Sequence, residues 1–424
     1  MPKPCRIFPV VIFLFTSCVT PNPKTGYVQI PAGFAGIVHA GETNTAEEYA
    51  YLDYLGTGWK LHTFYWSRIE NEQGVWNFQQ YDNLVDMGNN AGIKTLGILA
   101  YDNNWIHVNK KMQYYIPPEK LQDFLEYVRK TVEHFKGRVD AWCIWNEPNF
   151  QFWTGTKEEF FELSRRAADV IRQTDGDVII LGGAFNRGIF GLPKKYIRGL
   201  FESGAMEKAD AIAFHPYELN PVRTAKLYDS FKKLILDYGF EEKIWVTEVG
   251  YPTGGLYPTK VSEKNYPAYI IKTFTLLAAG GAKKIFWYQL FDPETRKSTN
   301  SEDFFGLVRS RNDHSSKGAE AFRLCAVYLS GTVYQPQAPS AKPTAEVSRA
   351  PWLENLPKSI SSYYFKGDGR NVLVLWKKRP GTKSVHLDLP GTGHISHDPV
   401  SGNSNALPQE SQIKIGTMPV FITW

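Results

Sequence analysis

At 424 residues, 43% hydrophobic and 21% charged, the chain is long enough for one large α/β domain with a smaller companion, and too apolar to be disordered. Its net charge of +5 comes from 48 basic and 43 acidic residues that interleave, as in Lys157-Glu158-Glu159, which excludes a continuous nucleic-acid-binding track. Four cysteines without a CxxC pair, and nine histidines without a His-x-x-x-His spacing, offer no zinc site and no disulfide scaffold, so no metal and no cofactor is expected.

From the N-terminus, Lys3 and Arg6 precede an apolar run over 8–15 that is too short to span a bilayer as a helix but suits a signal-peptide core. Phe15-Thr16-Ser17-Cys18 then resembles a bacterial lipoprotein signal, in which the cysteine after two small residues is lipidated. Leu is usual where Phe15 stands. The expectation is an exported chain with a signal over 1–18, Cys18 as the lipidation site, and residues 19–33 as a tether and first β segment. Membrane association would run through that lipid alone.

Residues 34–330 alternate short apolar strands with amphipathic helices, which predicts βα units. The candidate strands are 34–38, 59–66, 93–100, 139–145, 178–182, 209–215, 244–248 and 284–288, and eight is the number that closes a (β/α)8 TIM barrel. Pro117-Pro118-Glu119 opens a helix whose Leu121, Phe124, Leu125, Val128, Val132 and Phe135 keep a helical spacing. Thr156 with Glu159 forms a capping box before another. Cys143, in a strand, and Cys325, on a helix, read as separate core thiols.

Beyond the helix around 319–329 the texture changes to short alternating runs at 361–365, 371–376, 384–389, 412–415 and 420–424, separated by glycine turns. Residues 331–424 are therefore expected to form a small C-terminal antiparallel β domain, sandwich-like, with no binding motif of its own. Lys377-Lys378-Arg379, the densest basic run, precedes Pro380-Gly381 and reads as a solvated hairpin tip.

In such a barrel the chemistry sits where strands end. The fourth strand ends Trp145-Asn146-Glu147-Pro148-Asn149 and the seventh ends Val246-Thr247-Glu248. Two carboxyl groups at one rim have the composition that glycoside hydrolysis requires, one protonated and one ionised. His215 and Tyr217, two apart in Phe214-His215-Pro216-Tyr217, share a side of the sixth strand and are candidates to orient a carboxylate or bind sugar. Trp287, at the end of the eighth, is a candidate sugar-stacking floor, while Tyr101, Trp105 and Trp153 lie in loops expected to overhang the cleft and Arg68 near its rim. Asp292 is a loop carboxylate without a strong assignment.

Asn146-Glu147-Pro148 on strand four, matched by Glu248 on strand seven, resembles the signature of the clan A glycoside hydrolases, which retain anomeric configuration. The resemblance implies that Glu147 is the acid/base, Glu248 the nucleophile and Asn146 the contact to the sugar 2-hydroxyl. A closer resemblance is to the β-xylosidase and α-L-iduronidase family, glycoside hydrolase family 39, and its bacterial exopolysaccharide-cleaving relatives. It is carried over about 34–330 by Trp66-Ser67-Arg68-Ile69-Glu70, Gly74-Val75-Trp76-Asn77-Phe78, Phe214 to Tyr217, Trp245 to Gly250 and Phe305-Gly306-Leu307. It implies double-displacement hydrolysis of a β-linked oligo- or polysaccharide, and the aromatic loops lean toward endo action. Relatives often carry an Arg about five residues before the strand-two Trp, beside the nucleophile; here that stretch reads Lys60-Leu61-His62-Thr63. Rival expectations are an exported carbohydrate-binding or structural lipoprotein without catalysis, and an exo-acting β-xylosidase-like enzyme.

Overall fold

The computed structural model describes residues 27–38, 45–188, 191–256, 260–297, 299–311, 315–336, 353 and 356–424. The signal-like segment with Cys18 lies outside the described residues. Among them, no helix is long and apolar enough to cross a membrane.

Eight parallel strands close into a barrel: Ala35–Val38, Trp59–Tyr65, Lys94–Ala100, Ala141–Ile144, Ile179–Asn186, Ala211–His215, Ile244–Val249 and Lys284–Trp287. Helices outside and side chains inside bury both faces of each strand, which is why the strands are nearly continuous apolar runs. At the strand-start end the barrel is plugged by aromatic rings. Trp59 and Trp245 meet edge to face at 5.0 Å, with Lys94 and Lys284 over the Trp59 ring. Phe286 fits beside Gly36, where a Cβ would lie 2.5 Å from its ring. That filling leaves the strand-end face for a cleft.

The helices are held as expected. Thr156 and Glu159 form both halves of the capping box that starts Lys157–Thr174. Leu121–His134 buries Phe124, Leu125, Val128 and Val132 on one side, after a short 3-10 turn over Pro118–Lys120. The thiols of Cys143 and Cys325 are buried and unpaired by disulfide.

The fifth strand differs from the expected 178–182, running on to Asn186. Its pairing with the sixth strand shifts register between Gly182 and Phe185, where Gly183 and Ala184 take φ of +94° and +49°. Such a bulge inserts an unpaired residue and re-aims the strand, so glycines that look like a strand end are instead a kink within it.

Beyond the barrel lie a seven-stranded antiparallel sheet and a two-stranded ribbon, Lys383–Asp388 with Glu410–Ile415. Val28–Gln29, expected as the first β segment, pairs not with the barrel but with Val333–Gln335, at the edge of this sheet. Val333–Gln335, Ile395–His397 and Ser404–Ala406 are strands that the sequence pattern does not single out, being three residues each and too short for an alternation to register. One face of the sheet (Phe365, Val372, Val374, Trp376, Phe421) continues the barrel core, and the other (Leu373, Leu375, Ile422) packs on Val385, Leu387 and Ile415 of the ribbon.

Candidate active site

The end of the fourth strand is held in an uncommon backbone conformation. Trp145 and Glu147 have φ of +65° and +46°, in the left-handed region that non-glycine residues rarely occupy. Their surroundings fix them there. Trp145 donates its backbone N–H to Leu99 O at 3.1 Å and its indole Nε1 to Phe152 O at 2.6 Å. Glu147 donates its N–H to Ala184 O at 3.0 Å, a carbonyl presented by the bulge of the fifth strand.

The Glu147 carboxylate then meets two partners. Asn186 Nδ2 donates to its Oε1 at 2.9 Å, and His215 Nδ1 lies 2.8 Å from the same oxygen. Asn186 is itself clamped by Asn149, which exchanges hydrogen bonds of 2.8 and 3.0 Å with its backbone. His215 is wholly buried and its Nε2 bonds Thr247 Oγ1 at 3.0 Å, so the ring has one orientation. Glu248 accepts from Tyr217 Oη at 3.0 Å and stands 3.6 Å from His215 Nδ1. One donor atom from each of Glu147, His215 and Glu248 lies within 4.8 Å of the others.

Burial pushes the Glu248 carboxyl up to about 7; His215 pulls it back, the charge of Glu147 pushes it up, and the Tyr217 hydrogen bond pulls it down. Burial alone would favour neutral His215, yet Glu248 and then Glu147 outweigh it and hold the imidazole above its usual range. The charge of Glu147 so close by resists the ionisation of Glu248. The three donor atoms also have a spacing that suits a cation, but both ring nitrogens of His215 already face Glu147 and Thr247, and a metal would have to displace one of those bonds.

Around this pair opens a cleft of about 1250 Å³. Asn146 lines it, donating Nδ2 to Tyr101 Oη at 3.1 Å, while its buried Oδ1 has no hydrogen-bond partner among the described residues. A buried acceptor left open in a cleft is a place for a ligand hydroxyl. Tyr101, Arg68, Phe150 and Phe152 also line the cleft, with the Arg68 guanidinium 4.7 Å over the Tyr65 ring.

Three tryptophans are not brought to the cleft. Trp287 has no exposed surface; it donates Nε1 to Tyr266 Oη at 3.0 Å and stacks toward Phe274 of the helix Tyr266–Gly280. The pairing of the last two barrel strands shifts between Val246 and Val249, and beyond Trp287 it is Tyr288 that lines the cleft. Trp153 is buried against Trp145 and Phe160 and donates to Thr156 O at 2.8 Å. Trp105 donates to Glu70 O at 3.1 Å and meets Trp66 edge-on, fastening one loop to the next. Asp292 is likewise structural, buried against Lys317 at 2.7 Å and accepting from Gly306 N.

The second strand settles the position of the missing arginine. Lys60 reaches Glu48 at 2.7 Å and His62 reaches Tyr49 Oη at 3.3 Å, both toward the helix Ala46–Tyr54, while Leu61, His62 and Thr63 line the cleft. His215, held above its usual range, is the basic side chain within 4.0 Å of Glu248 among the described residues. Residues without a sequence signal complete the site. Asn186 lies past the bulge, and Glu302, on the short turn Ser301–Phe304, lines the cleft and accepts a hydrogen bond from Tyr288.

Fold and site together define a (β/α)8 barrel with two glutamates and a histidine at its strand-end rim. No family model matches the chain. The "Beta-xylosidase" of Caldicellulosiruptor saccharolyticus is 26% identical over 132 residues, a stretch that is 27% of this chain and 27% of that protein. Among solved structures, a family 39 glycoside hydrolase from the gut symbiont Bacteroides cellulosilyticus WH2 superposes with a TM-score of 0.75 at 17% identity, covering 92% of this chain and 81% of that one. A GH30 endoxylanase from Clostridium papyrosolvens C71 gives 0.63 at 13% identity, over 94% and 97%. The GH51 arabinofuranosidase of Xanthomonas axonopodis pv. citri gives 0.58 at 11%, over 93% and 96%. At these identities the likeness is one of fold, β-sheet region included.

Proposed function

We propose that the protein is a retaining glycoside hydrolase that cleaves β-linked bonds within an oligo- or polysaccharide. The observation that carries this reading is the approach of the two carboxylates, whose nearest oxygens lie within 4.8 Å. Retaining enzymes hold their carboxyl groups about 5–5.5 Å apart, whereas inverting ones leave about 6.5–9.5 Å for a water. The barrel shared with family 39 and GH30 enzymes, and the stretch related to a protein named a beta-xylosidase, support the same reading and the β linkage. A cleft of about 1250 Å³ has room for more than one sugar ring, which favours an internal bond of a chain over a terminal one.

In the first step Glu147 gives its proton to the glycosidic oxygen while a Glu248 oxygen attacks the anomeric carbon. The carbon–oxygen bond breaks, the alcohol leaves and a glycosyl ester forms. In the second, the Glu147 carboxylate takes a proton from water, whose oxygen displaces Glu248 and leaves the sugar with its original configuration. Tyr217 fixes one oxygen of the nucleophile, His215 and Asn186 orient the acid/base, and the open Oδ1 of Asn146 accepts from a sugar hydroxyl. An activated 2-fluoro glycoside followed by peptide mapping tests the assignment. The label is expected on Glu248, and a label on any other residue overturns it. Proton NMR of the first-formed anomer tests retention separately.

Leu61 in place of a cation, and a Glu248 that burial drives toward its neutral form, favour a second reading: oligosaccharide binding without turnover. Unaltered β-glucans, xylans and mannans after prolonged incubation, with retained binding, would decide for it.

A further inference from the structure

The basic run Lys377-Lys378-Arg379 has no part in the barrel's chemistry, and the fold gives it company. In the antiparallel sheet Ile360 stands opposite Lys377, the backbone N–H of Lys378 bonds Ser359 O at 2.9 Å, and the Lys378 ammonium bonds Lys358 O at 2.8 Å. Lys358 is therefore brought alongside. Across the turn, Lys383 begins the ribbon opposite Ile415, and its neighbour Ser384 faces Lys414, while Lys377 N bonds Gly416 O. Six cations from four separate stretches of chain thus gather at one end of the C-terminal sheets. None has a carboxylate within ion-pair distance among the described residues, and all but Lys377 are exposed.

This polarity is not a general property of the molecule. Residues 356–424 hold eight Lys and Arg against four Asp and Glu, so most of the chain's +5 belongs to them. Within the ribbon the acidic pair Asp388 and Glu410 stands at the far end from Lys383 and Lys414. Like charges brought together without counter-charges repel and cost stability, and an array of them attracts polyanions with a strength set by salt.

We propose that this basic end of the C-terminal domain binds an anionic polysaccharide, a polymer bearing repeated carboxylates, and so holds the protein on charged polymer apart from whatever occupies the barrel cleft. The array follows an edge through a turn and onto a ribbon, which suits an extended chain. Its makeup argues against an anionic membrane, which is met by cations together with inserted apolar side chains. The exposed large apolar residues of this region, Ile395 and Val400, lie on other strands and loops.

The test is affinity electrophoresis of the full chain through gels containing polygalacturonate, with neutral dextran as control and phosphatidylglycerol vesicles in a parallel sedimentation assay. Retardation by polygalacturonate is expected, weakened about tenfold on moving from low to high salt, with none by dextran. Lys378→Glu/Arg379→Glu/Lys383→Glu should abolish it with the thermal midpoint unchanged; the matching triple Gln variant, expected to weaken it, serves if charge reversal disturbs folding. Absence of retardation, equal retardation of the Gln variant, or sedimentation with vesicles in place of polymer binding would each overturn the proposal. Because the readout is binding, a failure here leaves the glycosidase reading standing, and the converse holds.

Discussion

The ionisation of Glu248, opposed by burial and by the charge of Glu147, is the quantity on which the site turns. Replacing the proposed acid/base by Glu147→Gln keeps its hydrogen-bonding shape but removes its proton transfer, and kcat on a substrate with a poor leaving group should fall by about 10²–10⁴-fold. An aryl glycoside with an acidic leaving group should lose much less in the first step. Equal losses on both substrates would reassign Glu147. With Glu248 raised to about 7, the proposed nucleophile is increasingly protonated below that pH, so kcat/KM should decline on the acidic side of about 7. The same shift links to stability. A carboxyl whose folded value is raised from 4.5 to about 7 holds its proton in the fold where the unfolded chain has lost it, so folding weakens as pH rises through that window. Glu248→Gln removes the effect, and its thermal midpoint should gain on the parent's between pH 4.5 and 8; a gain independent of pH would mean that burial does not act on this carboxyl. Trp287 and Tyr288 separate core from cleft. Trp287→Phe should lower the thermal midpoint with kcat/KM little changed, and Tyr288→Phe should do the reverse; the opposite pattern would return the sugar platform to Trp287.

At the level of elements, the barrel is legible because parallel strands covered on both faces must be apolar throughout, and the glutamates are legible because each ends such a run. What escapes the pattern is backbone geometry. Asn186 cannot be assigned to the site while Gly182-Gly183 reads as a strand end, and Trp287 cannot be placed by alternation across a pairing that shifts register. The three-residue strands of the C-terminal sheet form only because neighbours pair with them. The bulge itself can be probed. A Cβ at Gly183, where φ is +94°, would stand 2.8 Å from the Phe185 ring, so Gly183→Ala should destabilise by about 1–3 kcal/mol and lower activity by moving the carbonyl that holds Glu147. Ala184→Gly, at φ +49°, relieves about 1 kcal/mol of left-handed strain and should be tolerated by the fold. Chemical denaturation of both variants measures the contrast, and equal behaviour would remove the bulge from the account.

For the whole molecule, the C-terminal sheet is part of the main core and not an appendage. Phe421 packs on Tyr328, and Trp376 lies under Lys272 of a barrel helix. A chain stopped at residue 330 would leave that surface bare and Val28–Gln29 without its partner strand, and should aggregate or bind an apolar dye, where an independent appendage would leave a soluble barrel. The same early strand also ties the C-terminal sheet to the start of the barrel. From Val28 the chain passes beneath the start of the barrel strands, where Lys284 reaches Ala32 O and Gly33 O and Gly58 N bonds Ala35 O. A force applied to the chain at Val28 would therefore load the edge of the C-terminal sheet, where Val28–Gln29 pairs with Val333–Gln335, before it reached the first barrel strand.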